Sequence, residues 1–410
     1  MTSRTGVAPG NANIRVERKN RTKTKESNSA GKIKTGPMDL PFFITLMILL
    51  VIGIIMMFSA GYAWAIAKGN AGTFYVERQL FTAGLGLVGM FIASFIDYHR
   101  FRKAWIAYGS FIASIILLIL CRVGPFTAPR GEAHRWVQFH SALPTIQPSE
   151  FVKLSIILLF AYLISNNYNK MKSFKQGVVP FLVILGVISF LMMIQPHLSG
   201  TLIICSIGII MMYVGGTRAS HLIFLAVIGI VLVAVGVIVL MNFAGFNYFE
   251  KRWISWTDPF NTDTNRDDVW QTRNSLIAIG SGGLFGLGLG NSRQKFLYLP
   301  ESQNDFVFAV VCEELGFVGA VVIIILFLLL IMRGFYIAAK APDKFGMMLA
   351  VGLVAQIGIQ ALLNIAVVTN TIPNTGVSLP FFSYGGTALA LQLLQMGVVL
   401  NISRQSIIEV

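Results

Sequence analysis

Residues 280–316 read GSGGLFGLGLGNSRQKFLYLPESQNDFVFAVVCEELG. The stretch begins as a glycine-rich loop, turns basic at Arg293 and Lys295, passes Asp305 and becomes continuously apolar. The apolar run extends to Met332, and its only charges are the adjacent acids Glu313 and Glu314. A run of this length suits a helix crossing the ~30 Å hydrocarbon layer of a bilayer. An acid at the head of such a helix, beside a loop able to hold anions, points to chemistry on a lipid-borne substrate.

The rest of the chain agrees with a membrane setting. Of 410 residues, 55% are hydrophobic and 12% charged, against the ~25% charged typical of soluble domains. Apolar runs recur at about Pro41–Trp64, Leu80–Ile96, Ala104–Cys121, Phe151–Ile164 (or from Pro148), Val178–Ile194, Gly200–Val214, His221–Phe243, Asp305–Met332, Phe345–Val368 and Tyr384–Ile402. The runs are continuous rather than alternating, which excludes a transmembrane β-barrel. The expected fold is an all-α polytopic membrane protein of about ten transmembrane helices. It consists of one domain, residues 40–410, behind a disordered basic tail, residues 1–39.

Nine Lys/Arg in the first 37 residues supply much of the net charge of +14. That tail has no aromatic residues interleaved for base stacking, so nucleic acid is not the expected partner. It reads as a cytoplasmic segment able to touch anionic lipid. The first apolar run follows the tail without a small-residue cleavage site and reads as a signal anchor. Cys121, Cys205 and Cys312 fall in apolar spans, with no metal-ligand spacing and no implied disulfide.

Short-loop basic residues set the orientation. Arg100, Arg102, Lys103, Lys170, Lys172, Lys175, Arg218, Arg333, Lys340, Lys344 and Arg404 all fall on the tail's side. Both termini are therefore expected in the cytoplasm. The long segments 122–150 and 245–304 are expected outside, the second as a large extracellular loop between helices seven and eight. Trp253, Trp256 and Trp270 suit a membrane interface. A short helix over Val269–Ile279, stopped at Gly280, gives that loop order.

Asp305 reads as a helix N-cap or first-turn acid, which the helix dipole favours, and as a general base or electrostatic anchor at the outer membrane edge; the two roles are compatible. Glu313 and Glu314, roughly 12–14 Å further along the helix, read as cavity acids or as members of a buried structural pair. Glu150 and Lys153, in QPSEFVK, share a helix face; they either lock helices together or offer Lys153 to an anionic headgroup. Arg135 beside Trp136 suits an interface, as a phosphate ligand or a snorkelling arginine. The glycines at 280, 282, 283, 286, 288 and 290 match neither a P-loop nor a Rossmann fingerprint. They form anion nests or close packing, with Lys295 following as a point charge for pyrophosphate. PNTGVSLPFFSYGGT, residues 373–387, is a rigid non-helical turn whose Ser383 is a candidate substrate contact. Gln356, Gln360 and Asn364 line one face of the preceding span, where interhelical hydrogen bonding is the simpler role.

Taken together, RW followed by QPSEFVK, then QPHLSG, RWISWTDPF, QTRNSLIAIGSGGLFGLGLGNSRQKFLYLPESQNDFVFAVVCEELG and PNTGVSLPFFSYGGT resemble the SEDS family (shape, elongation, division and sporulation). The resemblance covers about residues 41–405, and the GLGNSRQKFLYLPE form looks more like the FtsW/SpoVE branch than RodA. It implies a peptidoglycan glycosyltransferase that polymerises lipid II on the outer face of the bacterial cytoplasmic membrane. It also implies a class B penicillin-binding protein transpeptidase as partner, together with divisome or sporulation proteins. Asp305 aligns with the family's catalytic acid, and Glu150 and Lys153 match its QPSE…K pattern. His197 stands where an aspartate is common, and Gln303-Asn304 replaces a frequent His-Thr, which removes a histidine relay beside Asp305.

The expected reaction is an inverting glycosyl transfer, with Asp305 as base and Lys153, Arg135 and Lys295 neutralising pyrophosphate. No cofactor is certain; a divalent cation, magnesium or manganese, could share that charge. The rival readings are a lipid II flippase or transporter, a RodA-type elongation polymerase, and a non-catalytic scaffold.

Overall fold

Asp39 fastens the start of the bundle. Its carboxylate accepts from the Phe42 amide at 3.0 Å and so caps α1 (Leu40–Ala67). Both its oxygens also accept from Arg333 Nε at 2.9 Å, and its own amide donates to Ser403 Oγ at 3.1 Å. One residue thus ties the first helix to the ends of two late ones.

The structure is a computed structural model that describes residues 36–123, 136–138, 146–195, 197–227, 229, 253, 255–260 and 266–406. After α1 come α2 (Phe74–Phe95), α3 (Ala104–Val123), α4 (Pro148–Asn166), the short α5 (Phe174–Gly177), α6 (Val179–Ile194) and α7 (Leu198–Val214). There follow α8 (Arg266–Gly282), α9 (Val307–Ala339), α10 (Lys344–Val368) and α11 (Gly386–Gln405). Among the described residues no strand forms; one antiparallel bridge joins Val137 to Ile146. Among the described residues, eight helical stretches, with α5 and α6 taken together, are long and apolar enough to cross a membrane. Helix α7 is shorter, at 17 residues. Of the expected span His221–Phe243, residues 221–227 are helical and 230–243 lie outside the described residues, as does the tail to residue 35.

Helices α4, α10 and α11 form the buried centre, and α1, α2, α3, α6 and α9 turn apolar side chains outward around them. The pattern follows from the sequence. Central helices carry polar residues (Ser155, Gln356, Gln360, Asn364, Gln392, Gln395) that hydrocarbon would penalise, and all of them are buried.

Several expected boundaries move. Helix α2 begins at Phe74 rather than Leu80, because Glu77 suits a helix's first turn and Tyr75 and Gln79 are buried. Helix α8 spans Arg266–Gly282, longer at both ends than the expected Val269–Ile279. Helix α9 runs to Ala339 instead of Met332, but it is interrupted: Gly316 has φ 68° and ψ −169°.

Candidate active site

Asp305 lies in a turn just ahead of α9. The helix starts at Val307, with Phe306 as its cap residue and no side-chain cap hydrogen bond. The residue is held from the α10 side. Asn364 Nδ2 donates to the Asp305 carbonyl at 2.7 Å and to the Val377 carbonyl at 2.6 Å. This one amide joins the turn to the 373–385 segment. Gly376, at φ 69°, faces the carboxylate; a Cβ there would stand 3.2 Å from Asp305 Oδ2. Only glycine offers both that backbone conformation and that clearance.

The 373–385 segment is non-helical and packs into the bundle. Phe381 and Phe382 are buried against Phe327, with ring centroids 6.5 and 5.9 Å away. Irregular backbone at such depth must find partners within the protein. Leu379 N donates to Ser383 Oγ at 2.7 Å, and Phe381 N to Gln392 Oε1 at 3.4 Å. Gln79 Nε2 donates to the Ser383 carbonyl at 3.2 Å, and Ser383 Oγ donates to the Asn304 carbonyl at 2.6 Å. Ser383 thus sits one residue from Asp305, engaged with backbone on both sides. Of the candidate polar face of α10, Asn364 serves this segment directly, while Gln360 accepts from Gln392 of α11 at 3.4 Å. Gln79 was not singled out from sequence, since it precedes the expected start of its helix.

The glycine run is spliced into the break in α9. Leu287 N and Gly288 N donate to the carbonyls of Glu313 and Glu314, each at 3.0 Å. In return Phe317 N and Val318 N donate to Gly283 and Leu284 carbonyls at 2.9 and 3.1 Å. The four groups that Gly316 strips from the helix ladder are thereby satisfied by the loop. Close packing is the role these glycines take.

The acids beyond the break are not open to a cavity. Glu313 accepts from Ser292 Oγ, from Arg293 N at 2.9 Å and from Gln294 N at 3.3 Å. Glu314 Oε1 accepts from Ser59 Oγ at 2.6 Å and Lys295 Nζ at 2.8 Å. Lys295 Nζ donates further to Ser59 Oγ at 2.9 Å and the Gly290 carbonyl at 2.6 Å. Glu313 and Glu314 are 0% and 1% exposed and Lys295 3%. In this structure Lys295 is not presented to a substrate: its three donors have three internal acceptors. Ser59 and Ser292, both missed in the sequence, complete the set. An isolated serine in an apolar span was the available signal for Ser59.

Two helical rulers give the depth of this cluster. Leu40 to Ser59 and Arg333 to Glu314 are each 19 residues, ~28 Å of helix, close to the ~30 Å hydrocarbon thickness. By both measures the cluster stands one hydrocarbon layer from the Asp39–Arg333 pair, at the opposite boundary rather than deep within the span. Ser302 Oγ donates to the Ala60 carbonyl at 3.0 Å. Asp305 follows three residues later, just ahead of α9.

Glu150 and Lys153 meet on the first turns of α4, Nζ to Oε1 at 2.7 Å, with side chains 6% and 3% exposed. The Val137–Ile146 bridge, with hydrogen bonds of 2.9 and 2.8 Å, closes the chain just before Pro148 and brings Trp136 toward that helix start. Arg135 lies outside the described residues. His197 Nε2 is 3.2 Å from Ser149 Oγ and 3.4 Å from Gln147 Nε2, joining QPHLSG to QPSEFVK.

Burial favours the locking role for this ion pair. Lys153→Met would leave a charged Glu150 in the interior, at about 3–5 kcal/mol. We expect Lys153→Met to accumulate poorly in membranes and Lys153→Met/Glu150→Gln to recover, as read by immunoblot of membrane fractions. Normal levels of Lys153→Met with lost activity would return the lysine to substrate contact.

A family model described as "Cell cycle protein", for FtsW, RodA and SpoVE, matches residues 39–407. Stage V sporulation protein E of Bacillus subtilis (strain 168) is 40% identical over 377 residues, covering 91% of this chain and 98% of that protein. A probable peptidoglycan glycosyltransferase FtsW of Geobacter sp. (strain M18) is 36% identical, covering 89% and 96%. RodA of Thermus thermophilus superposes with a TM-score of 0.63 at 25% identity, covering 91% of this chain and 98% of RodA. A chain from a peptidoglycan synthase complex shares the fold at a TM-score of 0.72 and 24% identity, over 90% of this chain and 98% of that one. With nearly its whole length matched, ahead of α1 to the end of α11, the chain belongs to the FtsW/RodA/SpoVE family.

Proposed function

We propose that this protein is a peptidoglycan glycosyltransferase that extends glycan strands from lipid II, with Asp305 as general base. The observation that carries the assignment is the setting of Asp305. It is a carboxylate just ahead of α9, clamped through Asn364 and facing Gly376 of the inward-folded 373–385 segment.

In the proposed step an acceptor sugar hydroxyl attacks the donor's anomeric carbon. The new carbon–oxygen bond forms as the bond to the pyrophosphate oxygen breaks, with inversion. The hydroxyl proton passes to Asp305, and the pyrophosphate leaves on its polyprenyl carrier. General-base assistance of this kind contributes about 10²–10⁴-fold. Among the described residues no three His, Cys, Asp or Glu side chains cluster as cation ligands.

The Lys/Arg bias supports an orientation with the Asp39–Arg333 end in the cytoplasm and Asp305 on the outer face of the cytoplasmic membrane. A class B penicillin-binding protein is the proposed partner, with divisome or sporulation proteins around the pair. The fold shared with a chain of a complex that couples polymerization to crosslinking supports this partner, and the likeness to SpoVE and FtsW favours division or sporulation over elongation.

The test is reconstitution in liposomes containing lipid II, with the transpeptidase partner inactivated. Polymer of many disaccharides is expected on the face that carries Asp305. Headgroup movement across the bilayer without polymer would replace this reading with the transporter.

A further inference from the structure

The glycine-rich loop does hold anions, and they are the protein's own. Backbone amides of Ser292, Arg293 and Gln294 converge on Glu314 and Glu313. Lys295 and Ser59 close the other side of Glu314. Three elements meet there: α1 through Ser59, α9 through the two glutamates, and the loop through residues 290–295.

From this cluster the chain has ten residues to reach Asp305, and that path is taut. Leu297 and Glu301 both adopt positive φ, 68° and 53°. Neither is glycine, and such conformations persist only when their surroundings over-determine them. Between them Trp64 Nε1 donates to the Leu299 carbonyl at 3.3 Å; beyond, Ser302 donates to Ala60. Up to Ser302 these tethers land on α1, within two turns of Ser59; beyond it Tyr384 N, Ser383 Oγ and Asn364 Nδ2 donate to the carbonyls of Gln303, Asn304 and Asp305.

We propose that Glu313, Glu314 and Lys295 are positioning residues for the reaction assigned above: a buried clamp that fixes residues 292–305 against α1 and so sets where Asp305 meets the acceptor hydroxyl. The inference rests on that functional reading for its consequence, but the clamp itself can be tested apart from it. Lys295 acts through the loop and does not touch the pyrophosphate.

A disulfide staple separates the two roles. A Cβ built on Gly61 lies 3.5 Å from Gln303 Cβ, within the ~3.5–4.5 Å span of disulfide Cβ atoms. In a background with Cys121, Cys205 and Cys312 replaced by Ala, Gly61→Cys/Gln303→Cys can pin the path to α1 without the clamp. Lys295→Met is expected to lower kcat ~100-fold with KM for lipid II within ~3-fold, as expected for a displaced base. Oxidising the staple in Lys295→Met should restore kcat to within ~5-fold of the oxidised parent, and reduction should remove the gain. A raised KM with no rescue on oxidation would overturn the proposal and make Lys295 a substrate ligand.

Hydrogen exchange supplies a readout independent of activity. Amides of residues 299–306 should exchange at least ~10-fold faster in Lys295→Met and return toward the parent rate when the Gly61→Cys/Gln303→Cys staple is oxidised in that variant. Unchanged exchange in the single variant would overturn the clamp whatever the polymerisation result. Faster exchange in a protein whose parent makes no polymer would leave the clamp standing and remove the functional reading instead.

Discussion

Asp305→Asn is expected to reduce glycan polymerisation by about 10²–10⁴-fold, with KM for lipid II within a few-fold of the parent. The amide keeps the shape of the side chain and the clearance opposite Gly376, but it cannot take a proton. The backbone carbonyl that Asn364 holds is untouched. Asp305→Glu keeps the base and displaces it by one methylene, and a misplacement near 1 Å costs about 10²-fold. The checking measurement is single-turnover elongation of radiolabelled lipid II, with thermal unfolding in detergent to show that both variants fold. Retention of a tenth or more of parental kcat by Asp305→Asn would eliminate this residue as the base.

Gly316→Val is expected to have the largest effect on stability. Gly316 sits at φ 68°, where a β-branched residue is strained by about 1–3 kcal/mol. A Cβ there would also run into the backbone of Gly286 and Leu284. Moving either strand of the splice breaks up to four backbone hydrogen bonds, each worth about 0.5–1.5 kcal/mol net. With all four lost the sum is about 3–9 kcal/mol, against a total stability of about 5–15 kcal/mol for typical proteins. Gly316→Val should therefore fail to accumulate or melt far below the parent. Gly280→Ala is the control: it is exposed, helical and without a neighbour within 4 Å, and it should be neutral or gain up to ~1 kcal/mol. Equal melting temperatures for Gly316→Val and the parent would mean that the break in α9 is not fixed by the loop.

The membrane spans were readable because hydrocarbon imposes a long, uninterrupted pattern. The i, i+3 spacing of Glu150 and Lys153 forecast a shared face, and they pair at 2.7 Å; their burial was not forecast. Lys295 was misread for a physical reason. Its partner Glu314 is set by a loop that returns to its own downstream helix through backbone hydrogen bonds, which leave no periodic trace in side chains. The same holds for Ser59, far away in sequence and adjacent in space. Glu313 and Glu314 looked intramembrane because a continuous apolar run conceals a break that only Gly316 marks. Gln79 was hidden by Glu77 and Arg78, which resembled loop charges but sit in the first turns of α2.

The splice at Gly316 also bears on how such proteins can recombine. Part of the backbone set of α9 is written upstream, in residues 283–288. A chimaera that takes 245–306 from a relative and keeps this chain from Val307 onward divides one hydrogen-bonded unit between two parents. A crossover after Val318 transfers that unit whole, so the natural module boundary falls inside a membrane helix rather than at its end.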